Sequence, residues 1–280
     1  MTTTLVVTGA SGFIGGRLCA AAKSQGISVV AVGHDSSPVV SGARCLSWRE
    51  FLETTFPSST VCCHLGEQGN IATFNGEGER YGQEALSNAR AVIEKRFLRL
   101  VYASTCAVYA PDAGRALSED DAVDHGTSYV RSKLEVERAV SSVNGYNLRL
   151  ANVYGPGMSP GTVIPTLVSQ LMGDDAAVSI RCTTDERDFI HVDDVVAAFL
   201  ALITGDVPGG TYNVSTGVRT SIAQLYDLLA EILGRRKPLQ AIDTRAGTSL
   251  ALSPDKAHRL FGWQSRVPLA DGLRDTFQRR

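Results

Sequence analysis

The chain has 280 residues and a nearly balanced charge, with 27 basic against 29 acidic side chains and a net charge of −2. At roughly 150 residues per domain, this length allows one large domain or two small ones that fold without disulfides. The lack of excess positive charge argues against a nucleic-acid-binding protein. The longest apolar run covers residues 195–203, well short of the ~20 residues of a membrane-spanning helix. Because the first basic residue is Arg17, a secretory signal is not expected either.

The cysteines are scattered along the chain and show neither a CxxC pair nor a nearby histidine cluster. This spacing predicts no metal site and no disulfide framework. We therefore expect buried apolar thiols in a reducing, cytoplasmic protein. The six positions are Cys19, Cys45, Cys62, Cys63, Cys106 and Cys182.

A glycine-rich loop follows the first predicted strand. Residues 5–7 are apolar, residues 8–15 read TGASGFIG, and a helical pattern continues over residues 18–22. Glycine permits the tight turn and lets backbone amides approach a phosphate, so the pattern predicts a pyrophosphate site at a helix amino terminus. The expected cofactor-binding residues are Gly9, Ser11, Gly12, Phe13, Ile14 and Gly15.

The second predicted strand, residues 29–32, bears on which dinucleotide the protein binds. In such units a carboxylate at the strand's tip binds the adenosine ribose and repels the extra phosphate of NADP. Here the tip is Gly33, followed by His34 and Asp35. His34 is either a phosphate contact or a solvated loop residue, and Asp35 can turn back to the ribose. The pattern slightly favours NADP over NAD.

Further strands are predicted at residues 61–65, 98–104 and 146–150, with amphipathic helices at 81–95 and 129–143. Strands that alternate with helices predict a parallel, doubly wound α/β sheet. Ligands bind at the carboxyl edge of such sheets. The loop after the strand at 61–65 is therefore expected to contact the cofactor, with Leu65 and Gly66 at its start.

Tyr129 and Lys133 are four residues apart on one predicted helix, so their side chains share a face. A nearby ammonium favours the phenolate and makes tyrosine a usable acid or base. Taken alone, the pair is more typical of an ordinary amphipathic helix. Its context is a strand that ends in Ser104 and Thr105, whose hydroxyls either contact the reacting oxygen or cap the strand end.

Six ordered segments extend this pattern over nearly the whole chain, and together they resemble the extended short-chain dehydrogenase/reductase family. The resemblance is to its NAD-dependent epimerase/dehydratase branch, which acts on nucleotide sugars. The segments are TGASGFIG at 8–15, VYASTCAVY at 101–109, YVRSK at 129–133, RLANVYGPG at 149–157, RDFIHVDD at 187–194 and GTYNVS at 210–215.

The resemblance implies roles for individual residues. Tyr129 is the general acid/base, Lys133 also holds the nicotinamide ribose, and Thr105, beside Ser104, positions the substrate hydroxyl. Asn152 and Arg187 lie on the substrate side, where the guanidinium suits the oxygens of a phosphate.

The resemblance also implies a Rossmann-type doubly wound sheet with a smaller C-terminal substrate-binding domain. Residues 1–157 with about 188–215 form the dinucleotide-binding domain, and about 158–187 with 216–280 form the substrate-binding domain. A homodimer is expected by analogy, through the helices at 81–95 and 129–143.

Three features depart from the family pattern. The acidic residue at the end of the second strand is replaced by Gly33, which places NAD preference in question. The apolar-Gly-Asp-Gly stretch before Arg187 becomes RCTT at 181–184. With residues 178–180, that segment is more similar to 4-ketoreductases of the abequose synthase type than to galactose epimerases. The chain is also short for the family, which implies a reduced substrate-binding part.

The second half is loop-rich after Gly157, and a short helix ending at residue 171 is expected to form a lid. Helices are predicted at 192–202, at 221–233 with Gly234 ending it, and from a capping serine and a first-turn proline at 253–254. Arg245 is either a second phosphate contact or an exposed loop arginine. His191 lies between apolar residues and is expected to be structural.

These observations predict an NAD(P)-dependent oxidoreductase that transfers a hydride at C4 of a nucleotide-activated hexose. A nucleotide-4-keto-6-deoxyhexose reductase is favoured, because of Gly33 and the 181–184 segment. The alternative is a nucleotide-sugar 4-epimerase, similar to UDP-glucose 4-epimerase, that holds NAD tightly. A noncatalytic NADP-sensing regulator is a third possibility. A dehydratase is disfavoured, because Cys106 stands where such enzymes carry a carboxylate.

Overall fold

The computed structural model describes residues 3–34, 39–67, 69, 74, 76, 79–111 and 114–278. Its first half alternates strands with helices, as the sequence predicts. The elements are β1 (Thr4–Thr8), α1 (Phe13–Ser24), β2 (Ser28–Val32), β3 (Arg44–Leu46), α2 (Trp48–Glu53), β4 (Val61–His64), α3 (Glu79–Glu94), β5 (Arg99–Thr105), a 3₁₀ turn (Cys106–Val108), α4 (Ser128–Ser141) and β6 (Tyr146–Leu150).

The second half contributes one more strand to the main sheet and several short pairs of strands. Its elements are β7 (Asn152–Tyr154), α5 (Val163–Met172), β8 (Val178–Ile180), β9 (Glu186–Arg187), β10 (Phe189–His191), α6 (Val192–Thr204), β11 (Gly210–Val214), β12 (Thr220–Ser221), α7 (Ile222–Leu233), β13 (Leu239–Ala241), β14 (Ser249–Leu250), α8 (Asp255–Phe261) and α9 (Leu269–Gln278).

The main sheet is parallel and has seven strands in the order β11-β6-β5-β4-β1-β2-β3. The chain winds outward in one direction from β1 through β2 and β3, and in the other from β4 onward. The strand order therefore reverses between β1 and β4, where doubly wound sheets open a crevice for ligands. The predicted Rossmann-type α/β fold is confirmed.

The central strands β1 and β4 are apolar over most of their length because helices cover both faces of the sheet. Along β1, Leu5 and Val7 pack into one hydrophobic core, and Val6 packs into the core on the opposite face. Cys63 and Cys62 of β4 divide between the same two cores. Cysteine serves here as a small apolar side chain, as the sequence predicts, and all six thiols are free.

A separate hydrophobic core lies among α5, α7 and α9. Leu167 and Leu171 of α5 pack with Leu225 of α7 and Leu273 of α9, and all four are fully buried. A three-stranded sheet, β12-β9-β14, and a two-stranded sheet, β13-β8, accompany these helices. This second core gives the later part of the chain its own packed lobe.

The helix ends follow the predicted capping signals, with one difference. Ser221 caps α7 in a capping box, and Gly234 ends it at φ +63°, the left-handed conformation that glycine adopts readily. The Ser253 hydroxyl accepts a hydrogen bond from the Asp255 amide at 3.3 Å. Helix α8 begins at Asp255, so Pro254 precedes the first turn instead of occupying its first position.

No helix within the described ranges is both long enough and apolar enough to span a lipid bilayer.

The turn after β1 yields a stability prediction. Gly9 has φ +69°, and a Cβ there would lie 2.8 Å from the Leu65 carbonyl carbon and oxygen. Gly26 has φ +76°, but a Cβ there meets nothing within 4 Å. Gly26→Ala should therefore lose only the left-handed penalty of about 1–2 kcal/mol, whereas Gly9→Ala should lose clearly more and also weaken dinucleotide binding. Urea unfolding and cofactor fluorescence titration measure both effects, and equal losses of stability would contradict the packing argument.

Candidate active site

The glycine loop forms a close-fitting turn at the carboxyl end of β1. The Gly12 amide donates a hydrogen bond to the Gly9 carbonyl at 2.9 Å. A Cβ on Gly15 would clash with that same carbonyl oxygen. The backbone of the loop thus packs against the first turn of α1, which only glycine permits at these positions.

The amino end of α1 is suited to an anion. The helix begins at Phe13, and Ile14 packs against the main core. Among the described residues, no side chain caps this end and no acidic residue lies in its first turn. The positive end of the helix dipole and the first-turn amides therefore favour a phosphate here.

A cavity of about 360 Å³ extends from this loop along the carboxyl edge of the sheet. Ser11 and Gly12 line it on the β1 side, and Leu65 and Gly66 line it on the β4 side. Added side chains on the loop glycines would fill or distort this cradle, so its shape fits the diphosphate of a dinucleotide. The structure brings the predicted cofactor residues of β1 and β4 together.

At the far end of this cavity lies His34, whose Nε2 is 3.0 Å from the Glu84 carboxylate. Both side chains are partly exposed. Glu84 belongs to α3, and no local pattern in the sequence places it at the tip of β2. Asp35, the other residue expected near the adenosine ribose, lies outside the described residues.

Tyr129 and Lys133 face the carboxyl edge from the first turns of α4, and both are buried. Tyr129 shares a side-chain hydrogen bond with Thr105 at the end of β5. The Phe74 ring packs edge-on against the Tyr129 ring, with 5.4 Å between their centroids. The structure therefore assembles the three residues that the sequence expected to act together.

Glu67 is the charged partner of Lys133. Its Oε2 accepts hydrogen bonds from Lys133 Nζ at 2.6 Å and from the Tyr102 hydroxyl at 2.8 Å. Lys133 also donates to the Ala103 carbonyl at 3.0 Å. Glu67 lines the same cavity as the glycine loop, so a buried carboxylate lies between the cofactor cleft and the proposed acid/base pair.

These contacts set the ionisation of the group. Burial raises the pKa of the Glu67 carboxyl, but the Lys133 ammonium and its hydrogen bond bring it below its ordinary value. Burial lowers the pKa of Lys133, but the Glu67 carboxylate raises it above the ordinary value. For Tyr129, burial raises the pKa, Lys133 and Thr105 oppose this, Glu67 adds to it, and the pKa is raised overall. The pair is charged, and Tyr129 is protonated near neutral pH.

Ser104 points away from this group into a buried network. Its hydroxyl donates to Glu137 of α4, which also accepts from Arg149 Nε at 3.0 Å and Nη2 at 2.8 Å. The Arg149 guanidinium lies 4.8 Å from the centre of the Tyr109 ring. The Ser104 hydroxyl thus holds β5 to α4, and its assignment to the substrate stays a prediction.

The two arginines expected near phosphate meet at one carboxylate. Arg245 Nη2 donates to Asp185 Oδ2 at 2.6 Å, and Arg187 Nη2 lies 3.7 Å from the same oxygen. Arg187 also donates to the Thr248 carbonyl at 2.8 Å. Burial raises the pKa of Asp185, but the bond from Arg245 and contacts with Thr248 and Arg187 lower it overall.

Asn152 and His191 lie at the junction between the sheet and the second lobe. The Asn152 side-chain amide donates to the Asp188 carbonyl at 3.0 Å. His191 is buried against Tyr154, and its Nδ1 accepts from the Asp193 amide at 3.3 Å, which caps α6. Burial lowers the pKa of His191. These contacts fit the structural role expected of it.

Comparison with known proteins identifies the family. The model of the NAD-dependent epimerase/dehydratase family matches residues 5–215, most of the chain. The chain belongs to that family. It is therefore an NAD(P)-dependent enzyme of the extended short-chain dehydrogenase/reductase type, as its sequence motifs predict.

Similar members of the family span nearly the whole chain. CDP-abequose synthase of Salmonella typhimurium is 27% identical over 98% of this chain and 97% of its own. dTDP-4-dehydro-6-deoxyglucose reductase of Escherichia coli is 25% identical over 96% and 95%. UDP-glucose 4-epimerase of Thermotoga maritima, solved with UDP-glucose, superposes with a TM-score of 0.86 at 24% identity, covering 98% and 97%. This last likeness shows the fold.

Several charged residues at this candidate site were not identified from the sequence. Glu67 follows β4 within the predicted ligand loop, so its position at a strand's carboxyl end is a signal that points to it. Asp185 lies two residues before Arg187, and charge complementarity favours their pairing. Glu84 had no such signal, because only the packing of α3 against the sheet brings it to His34.

The buried Glu137–Arg149 pair yields a second prediction. Both side chains are almost fully buried, whereas both partners in the Asp227–Arg236 pair are well exposed. Glu137→Gln leaves the Arg149 charge buried without its counterion, which should cost on the order of 3–5 kcal/mol. Asp227→Asn should cost no more than about 1 kcal/mol. Chemical denaturation of the two variants measures this contrast, and similar losses would contradict it.

Proposed function

We propose that this enzyme transfers a hydride at C4 of a nucleotide-activated hexose, and that it acts as a nucleotide-4-keto-6-deoxyhexose reductase. The observation that carries the proposal is the Thr105–Tyr129–Lys133 group at the carboxyl edge of the sheet, beside the glycine cradle, in which Tyr129 and Lys133 are buried. This cluster lies next to the proposed cofactor cleft. Its hydroxyl and ammonium groups suit proton exchange with a substrate oxygen.

The names of two near-full-length relatives support this substrate class. CDP-abequose synthase and dTDP-4-dehydro-6-deoxyglucose reductase act, by name, on nucleotide-activated deoxysugars. Cys106 supports reduction over dehydration, because burial raises the pKa of its thiol to about 12. A thiol that stays protonated is a poor second acid/base group for eliminating water.

In this proposal the protein's residues provide the proton and the binding. The bound nicotinamide supplies the hydride. Tyr129 gives its phenolic proton to the substrate oxygen, Thr105 holds that oxygen by a hydrogen bond, and Lys133 stabilises the phenolate that remains. Arg187 and Arg245 bind the diphosphate of the nucleotide sugar, because guanidinium groups match phosphate oxygens.

The division of the chain is part of the proposal. Residues 1–157 with about 188–215 would bind the dinucleotide, and about 158–187 with 216–280 would bind the sugar nucleotide. The separate core of α5, α7 and α9 supports this division.

A homodimer through α3 and α4 is also part of the proposal. These two helices pack along each other, so their outer surfaces form one continuous face for a second copy.

Assay of cofactor absorbance tests the reaction. A purified 4-keto-6-deoxy nucleotide sugar is supplied with NADPH or NADH in parallel. Stoichiometric loss of the reduced cofactor would support the reductase. No loss with either would contradict it for that sugar, and a tightly retained NAD with conversion at C4 would then favour the epimerase alternative. A cofactor that binds without turnover of any nucleotide sugar would favour a noncatalytic regulator.

The role of Tyr129 yields a third prediction. Tyr129→Phe should lower turnover by about 10²–10⁴-fold, because it removes the proton donor, while cofactor binding persists. Tyr226→Phe is the matched control, since its hydroxyl bonds within the second lobe to Lys237. Steady-state kinetics and cofactor titration of both variants measure this. Near-normal turnover of Tyr129→Phe would remove the assignment.

Glu84 decides how strongly the enzyme favours NADP. Gly33 leaves room for the extra phosphate, and His34 can bind it, but the Glu84 carboxylate lies 3.0 Å from His34 and repels an anion. Glu84→Gln should tighten NADPH about two- to fivefold, a small effect because the side chain is partly exposed. The dissociation constant for NADH should change little. Equal changes for the two cofactors would show that Glu84 does not face the extra phosphate.

A further inference from the structure

Glu67 is a buried carboxylate that the proposed proton transfer leaves without a role. Its side chain is 5% exposed, that of Lys133 is 9% exposed, and their charged atoms are 2.6 Å apart. The Tyr102 hydroxyl donates to the same carboxylate oxygen. Burying an ionised side chain away from water costs free energy unless it is paired with an opposite charge. Each of the two side chains is therefore held next to the other.

We propose that Glu67 is a positioning residue that balances the charge of Lys133, keeps Tyr129 protonated, and so sets the site to donate a proton. This inference rests on the proposed function, in which Tyr129 is the acid/base. It adds a pH range to that function, because a Tyr129 that holds its proton at higher pH can still donate it to a keto sugar there.

The first step of the argument is the charge that Tyr129 experiences. A lone ammonium beside a phenol favours the phenolate. Here the ammonium, 5.9 Å from the Tyr129 ring centre, is paired with a carboxylate of opposite sign. Two opposite charges close together leave a much weaker field at a third group than one charge does. The driving force toward phenolate is therefore reduced.

The other groups around Tyr129 do not replace that driving force. On its own helix, Glu137 is balanced by Arg149. From β5 and the following turn come the Thr105 hydroxyl and the Cys106 thiol, which is neutral because burial raises its pKa. Behind Glu67 lies His64, whose pKa is lowered by burial, so it is neutral as well. Phe74 covers the ring itself. Within the described ranges, Lys133 and Glu67 dominate the electrostatics at Tyr129.

The effects of these groups on the pKa of Tyr129 agree with the geometry. Burial raises the pKa of Tyr129, Lys133 and the Thr105 hydrogen bond oppose this, and Glu67 raises it further. The result lies above the ordinary value for tyrosine, so the phenol carries its proton near neutral pH.

A protonated Tyr129 suits one direction of proton transfer. In reduction, the Tyr129 O–H bond breaks, the proton joins the substrate oxygen as the reduced nicotinamide supplies the hydride, and the phenolate then takes a proton from solvent. Oxidation of a hydroxyl needs the phenolate at the start. By helping the phenol to hold its proton, Glu67 extends to higher pH the range in which the site is ready for reduction.

Titration of the protein without cofactor tests the proposal directly. Tyrosinate absorbance of the wild-type protein minus that of Tyr129→Phe isolates the ionisation of Tyr129. The same difference is taken between Glu67→Gln and Glu67→Gln/Tyr129→Phe. Removing a buried negative charge lowers the proton affinity of Tyr129 and Lys133 together, so the ionisation should move down by roughly one pH unit, a tenfold change. Unchanged titration in Glu67→Gln would overturn the proposal.

The pH profile of keto-sugar reduction is the second readout. Turnover should fall at high pH as Tyr129 loses its proton, and in Glu67→Gln this limb should move to lower pH by a similar amount. Glu67→Asp keeps the charge and should restore the wild-type limb. Glu53→Gln removes an exposed carboxylate paired with Arg49 on α2 and should leave both readouts unchanged. A Glu67→Gln limb at the wild-type position would contradict the proposal.

Two further outcomes remain decisive. If Glu67→Gln does not fold, the wild-type titration alone must show Tyr129 ionising above the ordinary value of about 10, and a lower value overturns the proposal. If Tyr129→Phe keeps normal turnover, the proposed function fails, while the titration still decides whether Glu67 controls the proton on Tyr129. The two failures are therefore distinguishable.

Discussion

The close approach of the β1 and β4 ends is the constraint on which the site depends. Gly9 lies against the Leu65 backbone, leaving no space for a side chain. The Thr8 hydroxyl accepts hydrogen bonds from the Leu65 and Gly66 amides, both at 3.2 Å, and lies 2.7 Å from His64 Nδ1. These bonds tie the glycine loop to the loop that carries Glu67. One backbone junction therefore positions both the phosphate cradle and the charged group beside Tyr129.

Buried ion pairs hold together the elements next to this junction. Two ion pairs, Glu67–Lys133 and Glu137–Arg149, fix α4 to the neighbouring strand ends. In each pair, the opposite charge offsets the free energy lost when an ionised side chain is buried in the interior. Because Tyr129 and Lys133 lie on the same helix, the pairs also fix the position of the proposed acid/base group relative to the sheet. Stability and chemistry thus use the same interactions.

The second lobe carries a different kind of electrostatic cluster. Arg187 and Arg245 share Asp185, and both remain partly exposed. A shared carboxylate keeps two like charges close together before a ligand arrives. It also leaves guanidinium N–H donors available for hydrogen bonds to phosphate oxygens, since each arginine has five N–H donors. The proposed binding of a diphosphate by these two arginines depends on this arrangement.

The sequence by itself determined the alternating strands and helices, the glycine loop after β1, and the Tyr129–Lys133 pair. Local patterns encode these features through hydrophobic periodicity, glycine at a tight turn, and spacing along one helix. Only the tertiary structure decided that Glu67 pairs with Lys133, that Glu84 meets His34, and that Ser104 turns inward to Glu137. Each of those contacts joins residues more than 30 positions apart. Their partners are selected by how strands and helices pack, which no local pattern in the chain records.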